Sequence, residues 1–183
     1  DVYEHLAQNN PLHLEHRIEH LGLPDAVHLE KMQKLGVHCV TQPIFITELG
    51  KNFRNYLDDF YLDNVYPYRA VLEAGVNLAF SSDAPVVKDF NPLSGIQAAV
   101  TRCDNTGTVI GKAQKISVLE ALKAYTIGAA AAQNTRDTQG VLAVGRDADF
   151  IILDKNPLNF EENGSEIGNI KVLQTWIKGV VEN

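Results

Sequence analysis

Cysteine is scarce in this chain, and positive charge is outnumbered. The 183 residues hold two cysteines, and 16 lysines and arginines stand against 23 aspartates and glutamates, a net charge of −7. Cys39 and Cys103 make no CxxC pair and no disulfide framework, so each reads as a buried, inert thiol in a reducing, cytoplasmic setting. The negative charge is spread along the chain without a basic patch, which excludes nucleic acid as a partner. Long apolar runs are missing as well. None approaches the roughly 18 residues that span a bilayer, and no basic-then-apolar stretch marks a secretory signal, so no membrane role is expected. Internal repeats and low-complexity segments are absent. What is there, 45% hydrophobic residues, suffices for one ordinary globular core. The chain opens on Asp1 and not on methionine, as a piece of something longer would begin.

Punctuation along the sequence places the elements. Residues 1–10 read as the end of a helix closing at Asn9-Asn10-Pro11. "LHLEHRIEH" (12–20) is a strand candidate. "DAVHLEKMQKLG" (25–36) is a helix with Asp25 as N-cap and Gly36 as the C-terminal glycine. "VHCVTQP" (37–43) is a second strand, stopped by Pro43. Residues 44–65 read as a long polar stretch without regular structure, of the kind that forms lids, with Tyr56, Phe60 and Tyr61 either capping a pocket or packing the loop. "YPYRAVLEAG" (66–75) is a helix and "VNLAFSSDAP" (76–85) a third strand. Two helices follow, at 91–102 and 117–134, the second opened by a Ser117/Glu120 capping box. Strand, helix, strand, helix, strand with short turns is parallel α/β. Near 135–140 the character changes. Residues 140–157 alternate and turn through Gly145-Arg146-Asp147 as a β-hairpin would, and 170–183 supply one or two more strands.

Three strands end in polar residues: His20, Gln42 and Asp83. Ligands of parallel sheets and barrels gather at the carboxyl ends of the strands, and His and Asp are donors that zinc accepts. Two donors are one or two short of a catalytic zinc site, and either residue could equally be structural: His20 a hydrogen-bonded histidine, "SSDAP" (81–85) a turn. Within "HRIEH" (16–20), alternation puts His16, Ile18 and His20 on one face and Arg17 and Glu19, with Glu15, on the other. With His20 looking into the mouth, Arg17 falls toward the covering helices, where pairing with Glu15 or Glu19 offsets the cost of burying it. His38, two positions before Gln42, reads as a core histidine.

"HRIEH", "YPYRAVLEAGVNLAFSSDAPV", "PLSGIQAAVTR" and "GVLAVGRDADFIILDKNPL" occur in that order. Together they resemble the C-terminal part of the amidohydrolase superfamily, in its amidohydrolase-3 branch of N-acyl amino acid and N-substituted formamide hydrolases. The resemblance covers essentially the whole chain. It implies an α/β fold, with residues 1–138 forming about strands six to eight of a (β/α)8 barrel. Residues 139–183 then form the C-terminal strands of a small composite β-sandwich. It makes His20 the metal-binding histidine that ends the sixth strand. Asp83, ending the eighth, becomes both metal ligand and general base, and the cofactor is a divalent metal, usually zinc. Gln42 and Arg102 are candidate contacts to a small-molecule amide substrate.

The family's first-strand HxH pair, its middle-strand ligand and its fifth-strand histidine have no counterparts here. "HLEH" (13–16) does not fill the gap, since HxxH on a strand sends the two imidazoles to opposite faces. The expectation is an incomplete piece of an enzyme, inactive alone. Its open sheet edges invite association with the missing part of the barrel or with another copy. Two rival readings stay open: phosphotriester or lactone hydrolysis on the same barrel, whose fold does not fix chemistry, and a non-catalytic α/β binding or assembly module.

Overall fold

Local chemistry sets most element boundaries in the computed structural model, which describes residues 2–9 and 16–182. Helix α1 is Val2–Asn9. Strand β1 is Arg17–Glu19; residues 12–15 of the expected strand lie outside the described residues. Helix α2, Ala26–Leu35, starts where the Asp25 carboxylate accepts the His28 N–H at 2.8 Å. It ends at Gly36, whose φ of 65° a residue with a Cβ would resist. Strand β2 is His38–Thr41, and β3 is Leu78–Phe80.

The stretch between β2 and α5 is not a loop. Helix α3 covers Ile44–Tyr56 and α4 covers Asp59–Asn64, the latter capped by Asp58. Ile46, Leu49 and Phe53 recur at helical spacing and pack into the main core beside Ile44 and Phe45. Polar residues occupy the outer face, so average polarity hid an amphipathic helix. Tyr56, Phe60 and Tyr61 are exposed and belong to no core. Helix α5, Tyr68–Glu73, and α6, Pro92–Thr101, follow the sequence reading. Helix α7, Val118–Lys123, has the Ser117/Glu120 box with both hydrogen bonds formed. A π turn at Ala124–Gly128 then leads to α8, Ala129–Ala132.

Strands β1, β2 and β3 lie side by side, all parallel. Ile18, Cys39 and Leu78 are partners in register and share a face. That face packs with Phe80 against Leu29 and Met32 of α2, Val71 of α5 and Ile96 of α6. Val40 and Ala79 point the other way and meet Ala132 of α8. Arg17 and Glu19 lie on that second face by register, and Arg17 Nη1 donates to the Ala132 carbonyl at 3.3 Å. The sequence-based assignment of faces is therefore reversed, because Ile18, the apolar residue of β1, takes the side of the main core with α2, α5 and α6. Arg17 does pair with Glu19, at 2.7 Å, but both are about half exposed. Burial pushes the Cys39 thiol up to about 12, and both cysteines are free.

A second, antiparallel sheet contains β4, Phe150–Leu153, β5, Val172–Ile177, and β6, Val180–Val181. The hairpin expected within 140–157 does not form: β4 pairs with β5 instead. Gly145 makes a turn at φ 86°, but no strand precedes it to pair with β4. The hairpin of this sheet joins β5 to β6 through Lys178-Gly179, both at positive φ as a tight two-residue hairpin turn requires. Between β4 and β5 the chain returns to the main core, burying Ile167 and Ile170. There the Gly168 N–H donates to Gln97 of α6.

Candidate functional site

The carboxyl ends of β1, β2 and β3 carry a line of hydrogen-bonded polar groups. His20 follows β1 directly, Gln42 follows β2, and Ser81 follows β3. His20 Nδ1 and Gln42 Oε1 are 2.8 Å apart, and Gln42 Nε2 donates to Ser81 Oγ at 2.8 Å. Gln42 is buried, whereas His20 is exposed. Asp83 stands two residues beyond Ser81 and is half-buried.

Regular alternation would send His20 to the helix side with Ile18. It does not, because the backbone turns left-handed there: φ is 68° at His20 and 48° at Leu21. The turn swings the imidazole toward Gln42, whose position after Thr41 puts it on the Val40 side of the sheet. Asp83 is left-handed too, at φ 54°, and so is Tyr66, at 48°. A non-glycine residue in this region costs roughly 1–3 kcal/mol and persists where surrounding contacts hold it.

Tyr66 forms a wall of the site. Its N–H donates to the Gly22 carbonyl at 2.7 Å, two residues past His20. Phe45 lies between the two rings, stacked on His20 at 6.1 Å and edge-on to Tyr66 at 6.3 Å. Burial, with the nearby Asp83 carboxylate adding to it, pushes the Tyr66 phenol up. Sequence reasoning missed Tyr66, Phe45 and Ser81. Ser81 was within reach, because the parity of Val40/Ala79 pairs Gln42 with Ser81 once the register is known.

Two residues expected to meet substrate are enclosed instead. Arg102 is 0% exposed. Its Nε donates to the Ile110 carbonyl at 2.7 Å, Nη1 to Tyr66 at 2.9 Å and Nη2 to Val65 at 2.7 Å. Its guanidinium also lies 5.0 Å from the centre of the Tyr68 ring. Committed to three carbonyls, it presents no fork to a substrate carboxylate; it clamps the turn that carries Tyr66. Gln42 likewise has both ends of its amide engaged. His38 is buried, as expected.

His20 and Asp83 thus stand at the same end of one sheet, on strands separated by β2. Among the described residues, no group of three His, Cys, Asp or Glu side chains gathers as a metal cage would require. No helix among them is long and apolar enough to cross a membrane.

A family model described as "Amidohydrolase family" matches residues 1–181. The N-substituted formamide deformylase of Arthrobacter pascens is 26% identical over 182 residues, 99% of this chain and 33% of that protein. A metal-dependent hydrolase of Pyrococcus horikoshii superposes with a TM-score of 0.73 at 28% identity, over 88% of this chain and 32% of its own. Its counterpart from Pyrococcus furiosus gives 0.69 at 29%, over 86% and 31%. The chain spans about a third of the length of the curated relatives it matches.

Proposed function

The chain belongs to the amidohydrolase family, and from that membership we propose that it forms the C-terminal third of a metal-dependent hydrolase of non-peptide C–N bonds. Its parallel sheet is part of the α/β barrel of such enzymes. Residues 1–138 supply the last three barrel strands in this reading, and residues 139–183 one part of a composite β-sandwich. The setting is cytoplasmic and the substrate a small amide.

One observation carries the reading. Both His20 and Asp83 hold left-handed backbone at the strand tips, a strain that an ordinary loop would relieve by placing glycine there. The donor set fits a divalent cation, zinc in our reading, as part of a site. His20 has a hydrogen bond at Nδ1 and none at Nε2 among the described residues. The remaining donors come from the rest of the barrel, which makes the isolated chain inactive.

His20 and Asp83 would hold part of the shell of a zinc ion, which would supply Lewis acidity and lower the pKa of water toward ~7. Asp83 acts as general base: its carboxylate takes a proton from the attacking water and returns it to the leaving nitrogen. Phe45, with Tyr66 against it, packs on the apolar side of the His20 ring.

The test uses the full-length protein that carries these residues, assayed against N-formyl and N-acyl amines and, for contrast, lactones and phosphotriesters. Asp83→Asn is expected to lower amide turnover by about 10²–10⁴-fold with an unchanged circular dichroism spectrum. Near-normal turnover refutes the role of Asp83. Hydrolysis confined to the lactones or phosphotriesters refutes the C–N assignment.

A further inference from the structure

We propose that Gln42 is a positioning residue that selects the tautomer of His20, with Ser81 engaging the far end of its amide. The role of the selected nitrogen rests on the metal reading above; the selection itself does not.

The two ends of a glutamine side chain are chemically unlike, an acceptor and a double donor. Gln42 sits at the tip of the middle strand and is 1% exposed, with no solvent to satisfy either end. Its Nε2 donates to Ser81 Oγ on one side, and its Oε1 faces His20 Nδ1 on the other, each at 2.8 Å. An acceptor at Nδ1 requires that Nδ1 carry the proton. A neutral imidazole then keeps its lone pair at Nε2, the nitrogen with no partner among the described residues. Turned the other way, the amide would offer N–H to Nδ1, move the ring proton to Nε2, and close that nitrogen to a cation.

The left-handed turn at His20 fits this role. It takes the imidazole out of strand alternation and delivers it to Gln42 Oε1, while Phe45 stacks on the ring and limits its rotation. Three strands thereby contribute one group each: the ring from β1, the amide from β2, the hydroxyl from β3. Hydrogen bonding to the outer nitrogen of a ligating histidine is the usual means of fixing ring orientation, and its loss weakens metal binding by about 10–100-fold.

The experiment reads the tautomer directly. The metal-free, full-length protein is labelled with 15N-histidine, and the His20 signal is identified by its loss in His20→Gln. Long-range nitrogen–proton correlations at mildly alkaline pH then show which nitrogen is protonated. Wild type is expected to carry the proton on Nδ1, and Gln42→Glu, which keeps an acceptor there, is expected to do the same. Gln42→Leu is expected to lose the fixed tautomer and to bind zinc about 10–100-fold more weakly in chelator competition. A proton on Nε2 in wild type overturns the proposal, as does a Gln42→Leu protein with unchanged tautomer and unchanged zinc affinity. The wild-type spectrum decides even if a variant fails to fold. A wild type with Nδ1 protonated that takes up no zinc supports the selection and overturns the metal reading instead.

Discussion

The two sheets of this chain differ in a way that strand length does not anticipate. In the parallel sheet β1 and β3 have three residues each and β2 has four, yet every residue of β2 and β3 is buried. In the antiparallel sheet β5 has six residues, and no residue of β4, β5 or β6 is buried. The crossover connections of a parallel sheet lay helices on its face as they close; an antiparallel hairpin carries no such cover. Ile151, Ile152, Val172, Leu173, Ile177 and Val180 accordingly stay exposed, although they are the residue types that fill cores. Ile151, Leu173, Ile177 and Val180 share one face by register, and an exposed apolar face of this kind marks contact with something further. In the composite-sandwich reading, that is another layer of the same small domain. The chemistry follows the same division. His20 and Asp83 lie at the sheet whose helix-side core holds them in place; on the uncovered sheet the left-handed non-glycine residue is Lys178, in the β5–β6 hairpin turn.

If stability is concentrated in the parallel half, the largest effects arise there. Arg102→Met is expected to be the most damaging. It leaves the carbonyls of Val65 and Ile110 buried without their donor and takes one of two donors from the Tyr66 carbonyl, which keeps the Tyr68 N–H, and each orphaned group costs about 1–3 kcal/mol. Denaturant titration of the full-length protein should show a loss of at least about 2 kcal/mol. A loss below 1 kcal/mol would mean that the Tyr66 turn is held by something else. Gly128→Ala comes next. A Cβ at Gly128 would stand 2.1 Å from the Leu78 carbonyl oxygen, backbone against backbone, so α8 must move away from β3. Overpacking of this kind costs typically 1–3 kcal/mol. A melting temperature equal to that of wild type would show that the π turn adjusts freely, and that α8 does not brace the sheet from its second face.

Helix ends were legible in the sequence because a cap is local chemistry. Asp25, Gly36, Ser117 and Glu120 act on backbone groups three or four residues away, and all four do what their spacing indicates. Features set by distant partners were not legible. The left-handed turn at His20 is set by what surrounds it, so alternation misassigned the faces of β1. Arg102 is spoken for by carbonyls 36 and 37 residues earlier in the chain, and nothing around "AVTRCD" announces that. Helix α3 stood between these cases. Its apolar spacing was present in "IFITELGKNF", but the polar face outweighed it. The strand-end positions of His20 and Gln42 were readable because a parallel sheet sends its strand ends to one side, whereas after β3 Ser81 takes that place and Asp83 follows two residues later; that Gln42 faces the histidine required the register.

The antiparallel sheet offers the converse test, with the smallest expected effect. Phe150 and Trp176 are partners in register, and their rings stack at 5.4 Å, 11° from parallel. Neither residue is fully buried. An aromatic pair contributes about 0.5–1.5 kcal/mol beyond its area, and Trp176→Ala removes it without touching the main cluster that contains Ile167 and Ile170. Hydrogen exchange should then accelerate in 150–153 and 172–177 while the amides of β2 and β3 keep their protection, because local opening of a weakly packed unit need not involve the rest. Zinc affinity should be unchanged. Equal acceleration in both sheets would mean that the two halves unfold together, and the contrast between a bracing half and an uncovered one would have to be given up.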